Sequence, residues 1–171
     1  ITLARIPVVR LRHGQPEALL NGQASFGDTV AAIQHSLASP HLHIDLPAQQ
    51  VECGGRPVQL PPALITWFAW WARQTLQGKP PQHWRNADAG EFLRLYRRVV
   101  GAHSGACIKA EERLKDGMEQ SFFQENNAKL NSALKQQLGL GAEPYLLATS
   151  GKRPNQTRHL NLSTQTIELH E

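Results

Sequence analysis

The polar residues with the clearest pattern lie near the end of the chain, on a stretch with helical periodicity. Leu130, Leu134 and Leu138 recur at helical spacing and define an inward-facing stripe. The opposite side then carries amide, hydroxyl and ammonium groups and no acid, and such groups hydrogen-bond to phosphate oxygens and to the edges of bases. The residues expected on this outer side, with the second at its flank, are Lys129, Asn131, Ser132, Lys135 and Gln136.

Positive charge is concentrated in the same part of the chain. Residues 129–158 contain five basic residues and one acid, Glu143, so their net charge equals the +4 of the whole chain. The loop after the helix contributes Lys152, Arg153 and Arg158, which could straddle a phosphodiester backbone. The charge distribution therefore favours nucleic-acid binding over an ordinary solvated surface.

Arg98 and His103 offer an alternative, catalytic chemistry. Their R-x4-H spacing is that of a HEPN-type ribonuclease motif, in which arginine stabilises phosphoryl charge and histidine transfers a proton without a metal. Gly101 is expected to end a helix between them, whereas this motif is carried on a helix. An exposed arginine and a loop histidine are the favoured interpretation, with a metal-independent ribonuclease as the alternative.

Two other clusters favour structural roles. The pair His41 and His43 lies on a predicted strand, but two imidazoles without a third ligand make a poor zinc site, so we expect no metal and no cofactor. Trp67, Trp70 and Trp71 follow helical spacing without interleaved basic residues, which favours a buried core over a surface that stacks bases.

Composition excludes some classes of protein. Of the 171 residues, 40% are hydrophobic and 19% charged, as in an ordered globular chain. No apolar run has the roughly 18 residues of a membrane span, and the start has no signal-peptide layout. Cys53 and Cys107 lack metal-type spacing, so free thiols are expected, with a disulfide left open. These features indicate a cytoplasmic protein without membrane contact.

Periodicity, caps and turn residues predict the elements that position these groups. Residues 1–14 suggest a strand or linker and residues 25–37 a helix. Gly54-Gly55 predicts a hairpin, and Gly139 ends the last helix. The elements predicted after residue 40 are strands at His43–Leu46, Val51–Cys53 and Pro57–Leu60, helices from Pro61 to about Leu76, from Asp88, from about Ala106 to Lys115 and over Gln124–Leu138, and strands at Tyr145–Ser150 and Arg158–Ser163.

This order predicts a mostly helical α+β fold. We interpret it as a winged helix-turn-helix with small β-hairpins and an enlarged helical middle. The reading helix would lie near Asn126–Leu138 and the wing near Tyr145–Leu162. Residues 1–40 would be a linker and helix, and residues 41–171 the winged helix-turn-helix domain with a helical insertion at about 77–118.

Two stretches resemble the winged helix of response regulators. Residues 42–72, "LHIDLPAQQVECGGRPVQLPPALITWFAWWA", are similar to its opening strands and first helix. "NNAKLNSALKQQLG" and "PYLLATSGKRPNQTRHLNL" are similar to its recognition helix and wing. The segment from Leu76 to Met118 is longer than that fold normally has between its first and recognition helices.

The chain also resembles the C-terminal half of a family of CRISPR-associated proteins with an N-terminal CARF sensor domain. The similar stretches are "ITLARIPVVRLR", "LLNGQASFGDTVAAIQ", "LKDGMEQSFFQENNAKLNSALKQQLG" and "AEPYLLATSGKRP". The resemblance implies that a sensor domain for cyclic oligoadenylate precedes this chain and would hold any ring-nuclease activity, so that this chain is not itself an enzyme.

The resemblance to CARF proteins further implies a role in antiviral defence. The chain would be the nucleic-acid-binding module of such a sensor, with double-stranded DNA as the expected partner. A winged helix used for protein–protein or homodimer contacts is a further alternative, because fold does not fix function.

Overall fold

The computed structural model describes residues 40–152 and 154–171, so the strand and helix predicted before residue 40 lie outside the described residues. This part of the chain is α+β and mostly helical, as predicted. Its strands and helices are β1 (Leu42–Asp45), β2 (Gln50–Cys53), β3 (Arg56–Pro57), α1 (Pro62–Leu76), α2 (Ala89–Val100), α3 (Gly105–Arg113), α4 (Gln120–Leu138), β4 (Leu147–Ser150), β5 (Thr157–Leu160) and β6 (Ile167–His170).

The opening strands form a small sheet whose order is β3-β2-β1-β6. The predicted Gly54-Gly55 hairpin is confirmed: both glycines have positive φ, 58° and 75°, as a type I′ turn requires. β6 was not predicted, and it pairs in parallel with β1, so that Leu42 is opposite Ile167. Both of these side chains are buried in the core, which explains why a four-residue segment is held as a strand.

Helix α1 is the centre of the core. It begins with Pro62, whose missing N–H costs nothing at a helix start, and Gly78 follows its end with φ 64°. Trp67, Trp70 and Trp71 are at most 1% exposed, so the prediction that they form core is confirmed. The Trp67 ring also stacks on Trp70 at a centroid distance of 5.1 Å.

The predicted helical middle consists of a 3₁₀ turn at Trp84–Asn86 and of helices α2 and α3. The Asp88 carboxylate accepts a hydrogen bond from the Glu91 backbone N–H at 2.9 Å and so caps the helix that the sequence predicts from Asp88. Gly101 ends α2 with φ 84°, also as expected. Phe92 packs edge-on against Trp67 at 5.3 Å, so this segment shares the core of α1.

Helix α4 begins at Gln120, one turn earlier than the predicted Gln124. The extra turn is stabilised by tertiary packing, since Phe122 and Phe123 contact the Trp67 ring edge-on at 5.7 and 5.8 Å. The hairpin β4–β5 follows as predicted, with shorter strands. β4 starts later than predicted because Tyr145 belongs to a 3₁₀ helix over Gly139–Tyr145, and β5 ends at Leu160. Across the described residues, every helix is too short or too polar to cross a membrane.

Candidate nucleic-acid interface

The inward side of α4 is fixed by apolar packing and by one buried amide. Leu130, Leu134 and Leu138 are at most 6% exposed, as the sequence predicts. One turn earlier, the Asn127 side-chain oxygen accepts hydrogen bonds from Trp67 Nε1 at 2.9 Å and Trp71 Nε1 at 3.1 Å. These contacts set the rotation of α4 about its axis and therefore which side chains face outward.

Four of the five predicted outer residues of α4 are exposed: Lys129, Ser132, Lys135 and Gln136. Asn131 is half-buried, and its side-chain oxygen accepts from the Leu147 N–H at 2.9 Å while its Nδ2 donates to the Leu147 carbonyl at 3.2 Å. Both polar atoms of Asn131 are thus engaged with the first strand of the hairpin. In this arrangement Asn131 fixes α4 against β4 while it also lines the groove between them.

The hairpin supplies the remaining predicted cations. Lys152 is exposed in its loop, Arg153 lies outside the described residues, and Arg158 is half-buried on β5. The backbone of Arg158 exchanges two hydrogen bonds with Gln82, at 2.7 and 2.8 Å, which ties the hairpin to the segment before α2. The hairpin is therefore held on both sides, by Asn131 and by Gln82.

Two grooves meet at Arg158. One, of about 560 Å³, separates the hairpin from α4, and the residues that line it include Asn131, Lys135, Thr149 and the acid Glu143. The other, of about 580 Å³, runs on the far side of Arg158 and is lined mostly by polar groups. Arg158 is therefore the one basic residue that borders both grooves among the described residues.

The second groove contains residues that were not predicted from the sequence. Gln124 and Gln156 line it together with Trp84, whose ring carries the Arg85 guanidinium at 5.0 Å from its centroid. A half-buried tryptophan beside amides is a surface on which a base can stack. The sequence gives little indication that Trp84 belongs to a binding surface, since it lies in a connection that contains Pro and Gly and has no helical or strand periodicity.

Charge compensation differs among these cations. Lys129 Nζ lies 3.9 Å from Glu125 Oε2, one turn away on the same helix. In the described part of the chain, no carboxylate lies within ion-pair distance of Lys135, Lys152 or Arg158. These three side chains keep their positive charge available to an anionic partner.

A second group of arginines surrounds a cavity of about 370 Å³ beside α2. Each of these four arginines has a carboxylate partner. Arg73 pairs with Glu91 and Glu171, and Arg98 lies 3.4 Å from Glu171. Arg94 pairs with Asp88, and Arg97 with Glu111. The internal ion pairs leave little net attraction for an added anion.

The alternative catalytic pair falls partly in this region. Arg98 is on α2 and bonded to Glu171, whereas His103 is exposed in the turn that follows Gly101. Gly101 separates them as expected, and the cavity beside α2 is lined by Arg98 but not by His103. The ribonuclease hypothesis stays a prediction without a geometric site.

The two cysteines are free and buried. Burial raises the pKa of the Cys53 thiol to about 12, and burial together with a hydrogen bond to Glu111 raises the pKa of Cys107. Neither thiol has the lowered pKa of a nucleophile. The expectation of free thiols is confirmed.

The fold and the site define a mostly helical α+β protein in which a polar helix lies beside a basic hairpin. No protein-family model, curated protein or solved structure matches the chain.

Proposed function

We propose that this chain is a winged-helix module that binds double-stranded DNA through α4 and the hairpin β4–β5. The observation that carries the proposal is the group of three uncompensated cations, Lys135, Lys152 and Arg158, on consecutive elements. In this proposal α4 is the reading helix, and the hairpin loop is the wing that contacts the phosphate backbone.

The dimensions of α4 support this partner. Nineteen residues at 1.5 Å each give a helix of about 28 Å, and a major groove about 12 Å wide accepts one helix. The exposed Ser132 and Gln136 are the groups that would meet base edges, while Lys129 and Lys135 would meet phosphates. Asn131 is left out of this set because Leu147 engages its amide.

The biological setting of the module is a proposal that rests on sequence resemblance alone. As the output half of a CRISPR-associated CARF protein, it would receive a signal from a sensor domain that binds cyclic oligoadenylate. Duplex binding can be tested on the chain as it stands, independently of that setting.

The test is a salt titration of duplex binding. Fluorescence anisotropy with a labelled duplex of mixed sequence should show binding that weakens as salt rises. In a plot of the logarithm of the binding constant against the logarithm of the salt concentration, each phosphate contacted should contribute about one unit of slope. The double variant Lys135→Ala/Lys152→Ala should reduce the magnitude of that slope by about 2 and weaken binding to all sequences alike.

Arg94→Ala is the control, because it removes an exposed positive charge from α2, away from α4 and the hairpin. It should change the slope by much less than one unit. No measurable binding to any duplex at low salt would overturn the proposal. An effect of the control as large, per charge removed, as that of the double variant would show that only net charge matters and would also overturn it.

A further inference from the structure

The outer face of the sheet gathers histidines and a carboxylate from strands far apart in the sequence. On β1, Leu42 and Ile44 face the core, so His43 faces outward; on β6, Ile167 faces the core, so Glu168 and His170 face outward. The parallel register sets His43 beside Glu168. The pairing thus places two further potential ligands, Glu168 and His170, beside His43.

The three side chains are close enough to share one ion. One donor atom from each of His43, Glu168 and His170 lies within 4.8 Å of the other two. Ligands on a tetrahedral zinc ion, with bonds of about 2.0–2.2 Å, lie roughly 3.3 Å apart. Small rotations of the half-buried His43 and of the exposed Glu168 and His170 would bring the donor atoms to this spacing. The His43 and His170 rings are already edge-to-face at 5.4 Å.

His41 adds support next to these ligands. Its Nε2 lies 3.5 Å from Glu168 Oε1, so it can hold the carboxylate in place. Its own backbone is fixed by the buried Tyr145, whose hydroxyl accepts from the His41 N–H at 3.1 Å and donates to its carbonyl at 3.2 Å. An oriented partner of a ligand carboxylate is a regular part of metal sites in proteins.

We propose that His43, Glu168 and His170 bind a divalent transition-metal ion of the zinc class on the outer face of the sheet, with His41 orienting Glu168. Two imidazoles and one carboxylate suit zinc, and they leave a coordination position open to water or to another molecule. The site would join the first and last strands of the described sheet. It is independent of the proposed DNA interface, since it uses none of the residues of α4 or the hairpin.

The experiment uses the chain freed of metal with EDTA and then transferred to chelator-free buffer. Titration with zinc against a chromophoric competitor should give one equivalent with a dissociation constant on the order of 1 μM or tighter. Because the ion binds the folded chain, zinc at a hundredfold excess over that constant should also raise Tm by about 5 °C or more.

The variants separate this site from adventitious binding. His43→Ala and His170→Ala should each weaken zinc binding by about 100-fold and abolish the Tm increase, and His41→Ala should weaken it by roughly 10-fold. His83→Ala, a histidine outside the cluster, should bind as the parent does.

Glu168→Gln keeps the shape of an exposed side chain and serves if a histidine variant fails to fold. It should likewise lose the zinc-dependent increase in Tm. Absence of binding below about 100 μM zinc, or unchanged binding in His170→Ala and Glu168→Gln, would overturn the proposal.

Discussion

Glu91 is a buried carboxylate held by three donors. Its side chain is 6% exposed and accepts hydrogen bonds from Arg73 Nε, Gln74 Nε2 and Lys79 Nζ, each at 2.9 Å. Burial alone would raise the pKa of this carboxyl, but the hydrogen bonds from Gln74 and Lys79 and the nearby positive charges lower it on balance. The ionised form of Glu91 therefore stabilises the fold.

The pH dependence of stability follows from the direction of that shift. Since the folded pKa lies below the ordinary value of 4.5, the contribution is complete above pH 4.5 and is lost as the pH falls through the folded pKa. Glu91→Gln should lower the free energy of unfolding at pH 7 by about 1–3 kcal/mol. It should also flatten the loss of stability below about pH 4.5.

Urea unfolding at pH 7, 5, 4 and 3 measures both effects. Glu112→Gln is the control, because Glu112 is an exposed acid on α3 without an ion pair in the described chain. Parent and Glu91→Gln curves that fall in parallel from pH 5 to pH 3 would contradict the assigned role.

For single residues, the sequence predicts which side of a helix a side chain lies on, but not which distant residue it contacts. The outward position of Lys129, Ser132, Lys135 and Gln136 follows from the leucine period and is confirmed. The bonds of Asn131 to Leu147 span 16 positions and join a helix to a strand, so no local pattern predicts them. The flank position of Asn131 follows from the same period, but its contact with the hairpin does not.

At the scale of elements, the junction of α4 and the hairpin depends on that same side chain. Asn131 satisfies both the N–H and the carbonyl of Leu147, the first residue of β4. Leu147 itself is 3% exposed, so water cannot readily replace these bonds. The orientation of the proposed wing relative to the proposed reading helix is set here.

Asn131→Ala should therefore act on the hairpin more than on α4. Leaving two polar backbone groups of a buried residue without partners should lower the free energy of unfolding by about 1–3 kcal/mol. Amide hydrogen exchange should become faster over 147–150 and 157–160 while 130–138 stays protected.

Ser132→Ala, the exposed neighbour on the same helix, should leave both stability and exchange within error of the parent. Unchanged hairpin exchange in Asn131→Ala would contradict the proposed role of the amide.

Element prediction succeeded where the signal is local. Helix α1 begins at a proline and ends before Gly78, and the Gly54-Gly55 turn fixes the register of β2 and β3. The sequence does not predict β6, because β6 pairs in parallel with β1 and parallel strands are not joined by a tight turn with a local sequence pattern. Only the packing of the folded core makes this pairing favourable. The candidate metal ligands Glu168 and His170 were missed for the same reason.

At the scale of the whole molecule, one buried cluster joins the sheet, three of the four described helices and the hairpin. It runs from Leu42 on β1 through Trp67 and Leu134 to Leu160 on β5 and Ile167 on β6. Segments that share one core are expected to unfold together. Helix α3 is attached more loosely: its single buried residue, Cys107, is not part of that cluster, and it packs against the cluster through the partly buried Ala110.

The two thiols report on this difference. Cys53 lies in β2, 2% exposed, so its reaction with a thiol reagent requires the sheet to open. Cys107 is equally buried, but it lies on a nine-residue helix, and local unfolding of that helix would expose it. We expect Cys107 to be modified about 10-fold faster or more under native conditions, which is a difference of about 1.4 kcal/mol in the free energy of opening.

Timed labelling followed by peptide mass spectrometry gives both rates, and Cys107→Ser confirms the assignment of the slow thiol. Low concentrations of urea should accelerate the modification of both thiols. The rate for Cys53 should rise steeply with urea, as for global unfolding, and the rate for Cys107 should rise only slightly, because the slope depends on the surface that opening exposes. Equal rates with equal urea dependence would instead place α3 in the same cooperative unit as the core, and the helical middle would then unfold as one with the sheet.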